Sequence, residues 1–251
     1  MFVARSLRRL CGVSATTRVT PDVLWATRCQ RGQFGCSVGA WFSIVGGVNI
    51  LYRQIRAAFT DETITVYQAY DPAIAVPAVV AQRFVAPFKR ERMTWIKPSF
   101  LWMMYRCGWG TKAGQTRVLG IDITREGFEW VLRHSCLSHP ADGVDQAAWK
   151  ERLRASPVRI QWDPERDPHH NPLAYRSIQV GLSGEAVTRY LDEWIVGIND
   201  LTDRVHEIHR ALRDGQDVTE MVPRESPYPL PADLGRAIGA TSPADSGRDP
   251  G

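Results

Sequence analysis

Between Arg83 and Arg117 the chain reads RFVAPFKRERMTWIKPSFLWMMYRCGWGTKAGQTR. Arg83, Lys89, Arg90, Arg92, Lys97, Arg106, Lys112 and Arg117 are interleaved with Phe84, Phe88, Trp95, Phe100, Trp102, Tyr105 and Trp109, and Glu91 is the one carboxylate. Phosphate needs concentrated positive charge and a base needs a flat ring, so this mixture suits a phosphorylated or base-containing ligand. Arg106 is the expected phosphate anchor, because a guanidinium grips phosphate through two parallel hydrogen bonds where an ammonium offers a point charge. Lys97 joins it, and Arg83, Lys89, Arg90 and Arg92 complete the basic set. Trp95 or Tyr67 would stack on the base. The competing reading makes the rings core and the cations their solvated rim. It covers Phe100, Trp102 and Met103 easily, and the clustered cations less well.

Other constellations are weaker. In TITVYQAY, residues 63–70, alternation puts Tyr67 and Ala69 on one strand face and Gln68 and Tyr70 on the other. His206 and His209 have helical spacing but lack further ligands, so surface histidines are expected. Asp163, Glu165 and Asp167 alternate beside Pro164 and Pro168, without the glycine and distal glutamate of a calcium loop, and read as a solvated turn. The chain has no Walker-type phosphate loop, no G-x-G-x-x-G after a strand and no G-x-S-x-G elbow. Those absences argue against a P-loop NTPase, an ordinary dinucleotide-binding dehydrogenase and an α/β-hydrolase.

The elements that must position these groups are legible in outline. Residues 63–70 read as a strand, and Asp71-Pro72 opens a helix that Pro77 limits. Met93–Ile96 is strand-like, Ser99 caps a helix from Phe100 to about Tyr105, and Cys107–Gly114 is a glycine-rich connection. Val118–Ile123 is a strand, and Thr124 caps a helix from Arg125 to His134. A helix follows at Gln146–Ala155, then strands at Val158–Trp162 and Tyr175–Leu182 with a polar, proline-rich loop between them. Ser183 is expected to cap the clearest helix, with Val187, Tyr190, Leu191, Trp194, Ile195 and Ile198 as one apolar stripe. Thr202–Arg213 forms another helix.

The chain has 251 residues, 44% hydrophobic and 23% charged, with a formal net charge of +4. That is an ordinary globular composition, long enough for a sizeable core and only mildly basic overall. Cys11, Cys29, Cys36, Cys107 and Cys136 are odd in number and lack C-x-x-C spacing, so reduced thiols are expected, with no zinc site or disulfide framework. No apolar run reaches the roughly 20 residues that span a bilayer. A cytoplasmic protein with no membrane partner is expected.

Residues 1–52 are rich in arginine, serine and threonine, with Asp22 the only acid. A transit peptide has that composition. A disordered extension or a start codon placed too far upstream accounts for it too, and these are preferred. The segment 231–251 is rich in Pro, Gly, Ser and Asp and is expected to be a disordered tail.

At VYQAY, QRFVAPFKRERMTWIKPSFLWMMYRCGW, VLGIDITREGFEW and YRSIQVGLSGEAVTRYLDEWI, the chain resembles the family known as domain of unknown function 4291. The resemblance covers about residues 52–230 and implies that both ends lie outside the shared domain. The family has serine where this chain has Cys107, so the resemblance implies that Cys107 is not a catalytic thiol. At the level of fold order, the strands TITVYQAY, MTWIKPSF, VLGIDI and YRSIQVGL are also similar in outline to ADP-ribosyltransferase domains. That analogy matches Gln68, Ser99 and Gln179 to their polar positions and gives Ser99 and Gln179 catalytic roles, with Gln179 orienting ribose hydroxyls. The usual Arg or His of the first strand is missing, and Gln179 stands where Glu is typical.

The resulting expectation is a single α+β domain over residues 53–230, with a mixed or mostly antiparallel sheet and flanking helices. Its function is expected to be that of an enzyme binding a nucleotide-type or phosphorylated ligand, with NAD as candidate cofactor and a transfer reaction. The alternative is a non-catalytic RNA- or DNA-binding module using the same surface, whose binding would fall steeply with salt. A third reading is a protein-interaction domain.

Overall fold

The computed structural model describes residues 50–140 and 143–242. The expectation for the N-terminal segment therefore lies almost wholly outside the described residues. Strand β1 (Arg56–Ala57) is followed by β2 (Thr63–Tyr70) and helix α1 (Pro72–Ala81). Asp71 caps α1 by accepting from the Ala73 amide, and Pro72 occupies the first helical turn, where its missing N–H costs nothing. Next come β3 (Thr94–Ile96), α2 (Phe100–Cys107), β4 (Arg117–Thr124), α3 (Arg125–Arg133) and β5 (Ser135–Leu137). Then follow α4 (Gln146–Ala155), β6 (Val158–Arg166), β7 (Pro172–Leu182) and α5 (Glu185–Arg189), which widens into a π-helical turn at Tyr190–Trp194. The last elements are β8 (Ile195–Asp200), α6 (Thr202–Arg213), β9 (Ser226–Pro227) and α7 (Ala232–Ala237).

The strands form a three-stranded antiparallel sheet β2-β4-β8, a four-stranded mixed sheet β3-β7-β6-β5 and a short β1-β9 pair. With seven α-helices among the described residues, the fold is α+β. One backbone bridge between Tyr67 and Lys97 joins the two larger sheets, through a 2.8 Å bond from the Tyr67 amide to the Lys97 carbonyl. The larger core draws Ile64, Val66, Leu119 and Ile121 from one sheet and Ile96, Ile160, Ile178 and Val180 from the other. A second core packs Met103, Met104 and Trp109 against Val205 and Ile208 of α6.

Three expectations need correction. The stripe beginning at Val187 is helical only as far as Trp194, because Ile195–Asp200 pairs with β4 instead. Trp194 and Ile198 are four residues apart, a spacing that both a helix and a turn into a strand accommodate. The β-branched run Ile195, Val196 and Ile198 supplies the strand preference, and β4 gains its second neighbour. Nor does Ser183 cap that helix: its hydroxyl donates to the Pro157 carbonyl at 2.9 Å. Second, the proline-rich loop after Trp162 is mostly strand. β6 continues to Arg166 and β7 begins at Pro172. Pro164 fits because β5 pairs with β6 only through Ile160, leaving no ladder partner on that side. Third, residues 231–242 are not a disordered tail. Leu234 and Ile238 are buried in the core, and the Ile238 carbonyl accepts from Trp162 Nε1 at 2.8 Å.

Gly127 shows how tightly these layers meet. A Cβ there would lie 2.4 Å from Trp194 Cγ. Gly127→Ala is therefore expected to destabilise, although alanine gains roughly 1 kcal/mol in helix propensity. Forcing the indole aside costs about 1–3 kcal/mol or more, and that term should win. Denaturant unfolding would read the sign directly.

Candidate ligand cleft

The register Trp95↔Gly181 and Gln161↔Gln179 places Trp95, Gly181, Gln179 and Gln161 on one face of the four-stranded sheet, with Lys97 two residues beyond Trp95. The opposite face carries Ile96, Val180 and Ile160 into the larger core. Gly181 is what lets Trp95 lie flat, since a Cβ there would come within 2.9 Å of the indole. Helix α2 brings Met103 and Arg106 over this face, and the segment after α1 adds Phe88, Lys89 and Arg92. Together they enclose a cleft of about 830 Å³.

Its charge is one-sided. Lys89, Arg92, Lys97 and Arg106 line the cleft and no carboxylate does. None of the four belongs to an ion pair among the described residues. Lys97 is only 7% exposed. Burial, followed by the like charge of Arg106, brings its ammonium from 10.5 down to about 8.

One carboxylate stands just behind the lining. Asp163 accepts from Gln161 Nε2 at 2.9 Å and from Gln179 Nε2 at 2.6 Å. An ionised carboxylate only accepts, so both glutamines must turn their nitrogens toward it. Each Oε1 is left without a protein donor among the described residues, and this wall of the cleft is therefore a pair of acceptors.

Of the residues expected from the sequence, Gln68, Lys89, Arg92, Trp95, Lys97, Arg106 and Gln179 line this cleft. Gln68 is 3% exposed and fully engaged: its amide nitrogen donates to Thr94 Oγ1 at 2.7 Å, and its Oε1 accepts from the Tyr190 hydroxyl at 2.9 Å. The other four lie elsewhere. Tyr67 faces the second core, edge-on to Phe100 with a centroid separation of 5.4 Å, and burial pushes its phenol far up. It cannot stack on a ligand in the cleft. Ser99 is the N-cap of α2, accepting from the Trp102 amide at 3.1 Å, and is buried there as a structural hydroxyl. Arg83 is exposed outside the cleft, and Arg90 is paired with Asp192. Lys89 and Arg92 of the same segment reach the cleft while Arg83 and Arg90 do not, so closeness in sequence does not become closeness in space.

Sequence reasoning missed Gln161, Asp163, Thr94 and Gln115. The signal for the first two was the period-two spacing in Gln161-Trp162-Asp163-Pro164-Glu165, masked by the prolines. Glu165 is likewise not in a solvated turn: it is buried on β6, and burial raises its carboxyl. Cys107 is buried, and burial pushes its thiol up, the reverse of an activated nucleophile. Among the described residues no histidine, cysteine and carboxylate group could hold a metal, and no helix is long and apolar enough to cross a membrane.

No curated protein matches the chain. The family described as Domain of unknown function (DUF4291) matches residues 54–228, which include every residue lining the cleft. The chain belongs to that family.

Proposed function

We propose that the cleft binds a nucleotide-type ligand and that the protein is an enzyme acting on it. The observation that carries this reading is the set of four cations, outside any ion pair among the described residues, around one concavity that also holds Trp95. Arg106 with Lys89 and Arg92 takes the phosphates, Trp95 takes the base, and the Oε1 atoms of Gln161 and Gln179 accept from ribose hydroxyls. NAD is the first cofactor to test. In an ADP-ribosyltransferase-like reaction Gln68 and Gln179 keep their places beside the ligand, and Thr94, whose hydroxyl is held by Gln68 and Tyr70, lines the cleft where Ser99 does not.

A concave site favours a small ligand over a nucleic-acid strand, because Arg83 and Arg90 do not extend it as a basic track. The test is thermal stability of the full chain against NAD, ATP, GTP, short RNA and short DNA, since a ligand that binds only the folded state raises Tm. A shift with NAD or a mononucleotide is expected. Arg106→Ala should weaken it about 10- to 100-fold, the worth of a charge-assisted contact to phosphate. A shift only with oligonucleotides, lost at moderate salt, would replace this reading with the nucleic-acid-binding one.

A further inference from the structure

Lys97 has chemistry that phosphate binding does not use. It lies in the cleft floor with its Nζ donating to the Trp95 carbonyl at 3.2 Å, and it has no carboxylate at ion-pair distance among the described residues. The groups facing it are Arg106 and Cys107 from α2 and Asp163 from β6. Arg106 repels an ammonium. Cys107 stays a neutral thiol because it is buried. Asp163 already accepts from two glutamine amides. Desolvation and a neighbouring cation are the two conditions that turn a lysine into a nucleophile.

We propose that Lys97 is a reactive amine that forms an imine with the aldehyde or ketone of a phosphorylated carbonyl compound, whose phosphate Arg106, Lys89 and Arg92 hold. The inference rests on the anion-binding reading of the cleft. The neutral Nζ lone pair attacks the carbonyl carbon, and the C=O electron pair moves onto oxygen, which takes up a proton as nitrogen loses one. The carbinolamine then expels water, leaving C=N. Amine plus carbonyl becomes imine plus water, with no oxidant or reductant. Burial, followed by Arg106, brings the amine to about 8, so roughly a tenth of it is neutral at pH 7 and half at pH 8, against a far smaller share for an ordinary lysine.

The test uses the full chain with pyridoxal 5′-phosphate, which carries an aldehyde and a phosphate, followed by borohydride reduction and peptide mass mapping. The chain has lysines at 89, 97, 112 and 150, so Lys150, on the separate helix α4, is an internal reference. Adduct formation at Lys97 is expected to be at least about tenfold faster than at Lys150, since the basic cleft concentrates an anionic reagent. Its rate should rise with a midpoint near pH 8. Inorganic pyrophosphate should slow it, and unphosphorylated pyridoxal should lose the preference. Arg106→Gln should move the midpoint upward, which a merely structural arginine would not do. No adduct at Lys97, or one formed at the rate of Lys150, overturns the proposal. The two readings fail separately. A Lys97 adduct with no nucleotide shift removes only the nucleotide reading, and a nucleotide shift with no adduct removes only this one.

Discussion

Lys97→Met is expected to yield a more stable protein that has lost much of its hold on anions. The folded chain lowers this ammonium from 10.5 to about 8. At pH 7 both folded and unfolded chains are protonated, so the folded state bears the full cost of the buried charge, on the order of 3 kcal/mol. Methionine has similar length, no charge to desolvate and the flexibility to fill the space. For a chain of this size the gain corresponds to roughly 6–12 °C in Tm. The pH dependence supplies the sign check. Between pH 8 and 10.5 the unfolded chain binds more protons than the folded one, so the native protein should gain stability as pH rises through that window. Lys97→Met should lack this slope, and the two stability curves should converge toward pH 11. Urea unfolding across pH 6–11 would measure it. Equal stability at pH 7 would mean that Lys97 is solvated well enough to carry its charge freely.

Glu225→Gln should flatten the opposite dependence. Glu225 reaches the start of α2, where its Oε1 accepts from the Phe100 amide at 2.6 Å. A negative charge at a helix N-terminus is worth about 0.3–1 kcal/mol. Burial, with the Glu165 carboxyl beside it, opposes that charge more strongly and raises Glu225 from 4.5 to about 8, while Arg56 pulls the other way. Below pH 4.5 both states are protonated and the folded protein has its full stability. Between 4.5 and 8 the unfolded chain loses its proton first, so stability falls as pH rises, and above 8 it levels off. The total fall is on the order of 3 kcal/mol, allowing for the screening that a partly exposed side chain receives. Glutamine is neutral throughout and keeps an oxygen for the Phe100 amide. The variant should match the native protein at pH 4.5 and exceed it at pH 8.5. A native curve that stays flat from pH 5 to 8 would show that Glu225 ionises freely.

How much was legible in the sequence depended on range. Ser99 before α2 and Thr124 before α3 sit beside the amides they accept from, at Trp102 and Gly127, and such caps can be read locally. Trp95, Lys97 and Arg106 come together because one strand, one turn and one helix carry them, so their proximity needs little from the rest of the chain. Arg83 and Arg90 share the composition but not the geometry. The wall of Gln161, Asp163 and Gln179 exists only through pairing of β6 with β7, and β8 takes its state from β4. Helix α7 is set by the core it covers, and its own composition gives little sign of that. In each case a partner distant along the chain decided the outcome.

The grip of Asp163 on Gln179 also limits what this position can become. Gln179→Glu alone would set two carboxylates 2.6 Å apart at the present oxygen–nitrogen distance. One of them would then have to retain a proton near neutrality. The substitution therefore needs a second: Asp163→Asn would supply an amide donor to the new carboxylate and place a fixed negative charge at the cleft wall. The pair can be exchanged as a unit and not one residue at a time. An effort to redesign the cleft should accordingly treat residues 163 and 179 as a single coupled position.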